Sequence, residues 1–433
     1  MVRLAAPLAL AELGWMAMGL LDTIMAGRLG AAAVGAGGLG AMLFYPIAIC
    51  GTGLLLGMDT LVAHAYGAGD VQDCRRTLIN GVWLALLLTA PLFALLRGLT
   101  PLLRITGTNP KTLALFGPFV DALTWGILPL LLYTAFRRYL QAVNIVKPVT
   151  FALVSANVIN AAGNWALMFG HWGAPAMGLE GSGWSTSLSR LYMAAVLAVA
   201  ILWNERRTQS LLFAMSWRPR WSRIRTLIEL GLPAAGQILL EGAVFGIVTV
   251  FAARLDEASL AAHAIAVNVI ATTYMVPLGI SSAAAVRVGQ AFGAKDWRGV
   301  AHRGWTAIAL GASFMATAGV VLAAAPRLIL GVYTIDASVA GVGALLLRIA
   351  ALFQLFDGVQ VVATGALRGL GDTRTPMMAH FAGYWLLGLP VAYALCFRAQ
   401  WGAPGIWTGL SAALIAIGLM LVTVWRWRTK ALP

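Results

Sequence analysis

Tyr66-Gly67-Ala68-Gly69-Asp70 returns as Phe292-Gly293-Ala294-Lys295-Asp296, 226 residues further along the chain. Arg28-Leu29 returns as Arg254-Leu255 at the same 226-residue offset, and Trp172-Gly173-Ala174-Pro175 as Trp401-Gly402-Ala403-Pro404 at 229. A chain of 433 residues that repeats at just over half its length reads as two copies of one unit. Around these marks lie apolar runs of about 20 residues, the length that crosses a bilayer as a helix. Twelve can be counted, the first six at about 4–26, 33–65, 77–97, 114–137, 148–170 and 180–203. The second six lie at about 224–253, 258–288, 302–323, 341–367, 376–397 and 404–425. Six spans separate equivalent points, an even number, so the halves share orientation and are related by an axis along the membrane normal. The expected fold is an all-α integral membrane protein of twelve transmembrane helices in two pseudo-symmetric six-helix lobes. Residues 1–203 form the first lobe, 204–223 an arginine-rich cytoplasmic linker, and 224–433 the second lobe.

Composition agrees. The chain is 60% hydrophobic and 11% charged with a mean hydropathy of +0.83, where soluble domains carry about 25% charged residues. Too little charge is present to cover a soluble surface, and too much apolar content for disorder. The net charge of +14 could suggest nucleic-acid binding, but most basic residues sit in short loops between apolar runs. Lys and Arg outside the spans favour the side shared by both termini three to one, which places both termini in the cytoplasm. Glu12 and Asp22 interrupt the first run, so it reads as a retained span and not a signal peptide. Cys50, Cys74 and Cys396 are odd in number and lack metal-ligand spacing.

Carboxylates inside apolar spans cost roughly 2.5–3.5 kcal/mol even on the mild insertion scale, so those that remain there carry the functional signal. Asp70, Asp73, Glu205, Asp296 and Asp372 read as loop or capping groups, Asp59 as structural, and Glu12 as a group near the cytoplasmic vestibule. Asp22 in the first span, Glu241 in the seventh and Asp357 in the tenth are the deep ones. Glu241 and Asp357 share the second lobe without an obvious basic partner, which suits holding a cation or sharing a proton. Asn157, Asn160 and Asn164 fall three and four apart on one face of the fifth span. Asn160 and Asn164 with Asp22 and Thr186 offer hard oxygen ligands for a small cation or proton. Pro7, ahead of Asp22, can hinge the first helix. Gly35-Ala36-Gly37-Gly38-Leu39-Gly40 follows no strand and reads as close helix packing. Trp15, Met18, Met25 and Met42 could line an adaptable pocket, although core or lipid-facing roles are commoner. The five histidines, His64, His171, His263, His302 and His380, lack metal spacing. Nucleotide-binding and hydrolase motifs are missing, which removes support for ATP-driven pumping.

Several stretches together resemble the multidrug and toxic compound extrusion (MATE) family, in its bacterial NorM-type branch. They are Leu21-Asp22-Thr23-Ile24-Met25-Ala26-Gly27; Pro277-Leu278-Gly279 with Arg287-Val288-Gly289-Gln290; and Leu367-Arg368-Gly369 through Asp372-Thr373-Arg374, continued by Tyr384-Trp385 and Gly388-Leu389-Pro390. The resemblance covers essentially the whole chain. It implies export of bulky organic cations against inward flow of Na⁺ or H⁺, with no cofactor beyond the coupling ion. The family's second-lobe acids fall on Glu241 and Asp357, its first-lobe site on Asp22, Asn160, Asn164 and Thr186, and its kink proline on Pro7. Some members carry aspartate where Asn164 stands, which leaves one charge fewer here, and His64 stands where the branch often has glutamine.

The expected activity is therefore a cation-coupled drug antiporter and not an enzyme, located in the bacterial cytoplasmic membrane. A monomer is expected, with organic cations as substrates, lipid around it and no nucleic-acid partner. Three rivals are weighed: a lipid-linked saccharide flippase of the same broad fold, which should show a cationic cavity; a polytopic enzyme using Glu241 and Asp357 as acid and base; and a passive channel, which two asymmetric sets of midplane carboxylates fit less well than coupled exchange.

Overall fold

In the computed structural model, which describes residues 1–207 and 216–433, the repeated Gly-Ala-x-Asp stretches are helix stops followed at once by helix starts. Gly69 and its counterpart Lys295 both take left-handed backbone, with φ of 77° and 57°. The next amide reaches back five residues, Asp70 N to Ala65 O and Asp296 N to Ala291 O, each at 2.9 Å. This is the helix-closing turn that satisfies end carbonyls. Each aspartate then caps the following helix: Asp70 accepts from Asp73 N and Asp296 from Gly299 N, both at 2.8 Å. The turn recurs at Asn144 (φ 64°) with Ile145 N to Leu140 O, at Gly371 (φ 87°) with Asp372 N to Leu367 O, at Gly107 (φ 78°) with Thr108 N to Leu103 O, and at Gly170 (φ 78°) with His171 N to Ala166 O. The matched pair of capped turns at Asp70 and Asp296 is the structural content of the repeated stretch.

The helices are α1 (Val2–Gly27), α2 (Ala31–Gly67, broken at Leu55 and Leu56) and α3 (Val71–Ile105). The fourth, α4, is a pair, Pro110–Trp125 and Ile127–Ala142, followed by α5 (Lys147–Phe169) and α6 (Leu179–Arg207). Beyond them come α7 (Trp221–Ala253), α8 (Glu257–Gly293), α9 (Trp297–Ala324), α10 (Ala337–Gly369), α11 (Arg374–Arg398) and α12 (Ala403–Lys430). Among the described residues, eleven are long and apolar enough to cross a membrane, and the α4 pair makes twelve. The α4 pair bends by 41° at Gly126, where an added Cβ would sit 2.6 Å from Ser187 Oγ of α6. α11 passes through π-helical turns over Phe381–Gly388 and Ala394–Arg398. At the other end of α8, the amide and hydroxyl of Ser259 donate to Asp256 and hold its exposed carboxyl below the usual range.

Two compact units emerge, one of Leu10–Ala235 and one of Met1–Ala9 with Gly236–Pro433. The division therefore falls inside α1 and α7 and not in the expected linker at 204–223. Of that linker, residues 204–207 complete α6 and 221–223 begin α7, while 208–215 lie outside the described residues. Residues 216–220 lie along α3: Trp83 Nε1 donates to Trp217 O at 2.6 Å and Arg220 N to Asn80 Oδ1 at 2.8 Å.

Several acids of the first unit are paired. Glu12 meets Arg137, Asp59 meets Arg138 at 3.3 Å, and Asp73 meets Arg223. Glu205, expected as a loop or capping group, is 4% exposed inside α6 and lies 2.8 Å from Arg75. The long arginine stem reaches it from α3, a pairing across 130 residues that local pattern does not reveal. Asp372 caps as expected, accepting from Thr375 N at 3.0 Å.

Candidate functional sites

The first site lies within the Leu10–Ala235 unit. Asn160 and Asn164 are one turn apart on α5 and both 0% exposed, so their amides must find partners on neighbouring helices. Asn164 Nδ2 donates to Asp22 Oδ1 at 2.7 Å, and Thr186 Oγ1 of α6 donates to Asp22 Oδ2 at 3.1 Å. Asn160 Nδ2 donates to Thr186 Oγ1 at 3.3 Å. The four residues picked from sequence thus form one network with Asp22 at its centre. Asn157 leaves it, because its amide donates to Gly14 O of α1 at 3.0 Å and to Leu153 O at 2.9 Å. Pro7 sits inside α1 but belongs to the other compact unit, so it and Asp22 fall in different units.

Asp22 and Thr186 open onto a cavity of about 250 Å³ that Phe44, Tyr45, Phe119 and Arg190 also line. Gly37 and Gly38 widen it by presenting no side chain, whereas a Cβ on Gly40 would strike the Phe119 ring at 2.6 Å. The glycine run on α2 thus does two jobs, close packing and cavity lining. Thioethers do not take part: Met42 is exposed and Met18 is buried in the core. Trp15 stacks on Tyr133 at 6.4 Å. The residue that sequence reasoning left aside is Arg190. It follows Thr186 by one helical turn, which puts both on the same face of α6. Its guanidinium lies 4.7 Å from the Phe44 ring and within electrostatic reach of Asp22 and Tyr45.

The second site lies within the Gly236–Pro433 portion of the other unit. Glu241 of α7 accepts from the Tyr384 hydroxyl of α11 at 3.4 Å, and Asp357 of α10 accepts from Gln360 Nε2 at 3.1 Å. The two carboxylates are close enough to act on each other electrostatically, and both act on Tyr384. No lysine or arginine is paired with either among the described residues. From Asp357 a polar chain continues: Gln360 Oε1 is 2.8 Å from His380 Nε2, and His380 Nδ1 is 2.7 Å from Pro376 O. Gln237 Nε2 of α7 approaches the same imidazole nitrogen at 3.3 Å. An amide between an acid and an imidazole must turn one end to each. When Gln360 gives its NH₂ to Asp357 its oxygen asks His380 Nε2 for a proton, and the reversed amide asks Asp357 for one. The geometry therefore links the protonation of Asp357 to that of His380. His263, the other histidine buried in this unit, accepts from Trp407 Nε1 at 3.2 Å and meets Thr249 Oγ1 at 3.1 Å, a closed set with no acid.

A family model described as MatE matches residues 7–166 and 233–394. The chain is 38% identical, over its full length and 94% of the relative, to a protein of Mesorhizobium japonicum named probable multidrug resistance protein NorM. A protein of Burkholderia vietnamiensis named multidrug resistance protein NorM is 36% identical across 99% of this chain and 93% of its own. Among solved structures, the eukaryotic MATE transporter AtDTX14 superposes with a TM-score of 0.87 at 19% identity over 99% of this chain and 96% of its own. A MATE in complex with MaD3S reaches 0.91 at 18% identity over 100% and 96%. At such identity these structures speak for the fold.

Proposed function

The chain belongs to the MatE family, and on that premise we propose that it is a secondary active multidrug efflux antiporter exporting bulky organic cations in exchange for Na⁺ or H⁺. The observation that carries the proposal is the pair of carboxylate sites, one in each compact unit, embedded in helices apolar enough to cross a bilayer. Such groups persist in apolar spans where they bind a cation or a proton. The names of the full-length relatives support export of drugs, and none of those quoted describes an enzyme.

In the proposed cycle, substrate and coupling ion compete for the acids. Ion binding from outside neutralises Glu241 and Asp357, or Asp22, and releases the drug; return of the ion to the cytoplasm re-exposes the acids. Tyr384 and Gln360 hold the second pair of acids, and Asn160, Asn164 and Thr186 hold Asp22. The coupling ion is the only cofactor in this scheme. We place the protein in the bacterial cytoplasmic membrane as a monomer with both termini in the cytoplasm, on the three-to-one excess of basic residues on that side. Pro7 keeps its proposed role as a hinge of α1. The flippase alternative asks for a cationic cavity, whereas Arg190 shares its cavity with Asp22 and the second site holds two acids.

The test is ethidium efflux from proteoliposomes under a Na⁺ gradient and a pH gradient applied separately. Efflux under one gradient alone identifies the ion. Efflux under neither removes the antiport reading.

A further inference from the structure

Neither carboxylate site uses Arg287, although it belongs to the Arg287-Val288-Gly289-Gln290 stretch of α8. Arg287 and Arg303 of α9 border one cavity of about 260 Å³, which Met1, His302 and Thr306 complete. All five residues belong to one compact unit. A backbone contact holds the arginines together, with Arg303 Nη1 donating to Arg287 O at 3.2 Å. Arg287 Nη1 donates to Gln290 Oε1 at 3.3 Å, and Arg287 pairs with no carboxylate among the described residues. Arg303 meets Asp296 at 3.5 Å, a long contact between half-exposed side chains. Two guanidiniums, which stay charged in proteins, thus border one cavity with a single acid beside them. An anion between them relieves their repulsion.

We propose that this cavity binds the phosphate of an anionic phospholipid, whose acyl chains run along the exposed face of α9. A phosphate has enough oxygens to accept from two guanidiniums at once. Depth argues for a lipid over a free ion. Arg287 lies six residues before the end of α8 at Gly293, and Arg303 six after the start of α9 at Trp297, ~9 Å along each axis. α8 has 37 residues, ~55 Å of helix, against about 40–45 Å for a bilayer with its headgroups. The cavity therefore falls at headgroup level, on the side that carries the excess of basic residues. Beyond it, Thr306, Ala309, Ser313, Thr317 and Val320 recur three and four apart along α9 and are all exposed. Thr306, Ser313 and Thr317 give their hydroxyls to His302 O, Ala309 O and Ser313 O at 2.7, 2.8 and 2.9 Å. The stripe thus presents no unmet hydroxyl donor to hydrocarbon. A free phosphate would use the arginines and leave the stripe without a role.

The experiment is native mass spectrometry of the delipidated full-length protein in detergent, with dioleoylphosphatidylglycerol or dioleoylphosphatidylcholine added. One phosphatidylglycerol should be retained per chain at concentrations where phosphatidylcholine, with the same chains and no net charge, is not. Inorganic phosphate in millimolar excess should not displace it. Arg287→Gln and Arg303→Gln should each weaken retention by at least about tenfold. At the exposed position, Thr306→Glu should weaken it and Thr306→Lys tighten it several-fold, opposite signs that damage to the fold does not produce. Gel filtration of each variant reports folding, so an arginine variant that fails to fold leaves the decision to the Thr306 pair. Equal retention of the two lipids, native affinity in both arginine variants, or a common sign for the two Thr306 variants overturns the proposal. Displacement by inorganic phosphate overturns it too, by making the site one for the free ion. Binding needs no gradient, so a chain that retains the lipid but exports no ethidium keeps this site and loses the antiport reading.

Discussion

The two sites solve the same problem, a carboxylate inside apolar helices, with opposite surroundings. In the first unit Asp22 is answered by the Asn164 amide and the Thr186 hydroxyl, with the Arg190 guanidinium lining the same cavity. In the second, Glu241 and Asp357 act on each other electrostatically, and each accepts one hydrogen bond, from Tyr384 and from Gln360 respectively. A site with a fixed cation nearby already holds part of the counter-charge its acid needs. A pair of acids with none must take up a positive charge or a proton to be comfortable. The difference assigns the tighter demand for a cation to the second unit, and assigns a mixed-charge pocket to the first.

The largest effect should come from the second unit. Glu241→Gln and Asp357→Asn each should bring initial ethidium efflux from proteoliposomes down to the leak of empty liposomes. Retained efflux in both would break the comparison at its root. Asp22→Asn comes next, with a loss of at least about fivefold in efflux, the lower end of ordinary coupling between sites. It also removes the acid within electrostatic reach of the buried Arg190 and so should lower stability. Thermal unfolding in detergent would read this as a lowered midpoint, recovered in part by adding Arg190→Gln. Asp357→Asn strands no cation and should not show that pattern. If both neutralisations destabilise alike and Arg190→Gln recovers nothing, the contrast in charge environment is without consequence.

Within the second unit two buried histidines sharpen the point. His380 connects through Gln360 to Asp357, whereas His263 closes on Trp407 and Thr249. His380→Phe should slow efflux several-fold, as expected for losing one link of about 1 kcal/mol. His263→Asn should leave the rate within about twofold. The reverse order would dismiss the amide as a link between acid and imidazole.

Much of this was legible in the chain. Spans follow from apolar length, and the repeat follows from a motif whose letters encode a left-handed stop and a cap, as Gly69-Asp70 and Lys295-Asp296 display. Asp22 and the α5 amides could be grouped because a helix face has a fixed period. Arg190 carries a readable signal, one turn beyond Thr186 on the same helix face. Whether such a charge meets an acid, a ring or lipid depends on helix phase relative to neighbours. Glu205 with Arg75, and Asp357 with Gln360 and His380, needed the same knowledge, since each joins separate helices or sides of a turn. The unit boundaries inside α1 and α7 were hidden for another reason: a polar linker marks where a chain leaves the bilayer, and packing decides where a compact unit ends.

The smallest expected effect tests the edge of the first site. Asn157 shares the helix face of Asn160 and Asn164, so pattern alone admits it to the network. The structure spends its amide on Gly14 O and Leu153 O, tying α5 to the backbone of α1. Gly14 is what permits the approach, since Leu153 Cδ2 would lie 2.5 Å from any Cβ placed there. Asn157→Ala should therefore cost about 1 kcal/mol of stability and leave the efflux rate unchanged. Asn164→Ala removes a donor from Asp22 and should slow efflux. Equal behaviour of the two variants would extend the site along α5 and make the amide face, not the Asp22 contact, its defining feature.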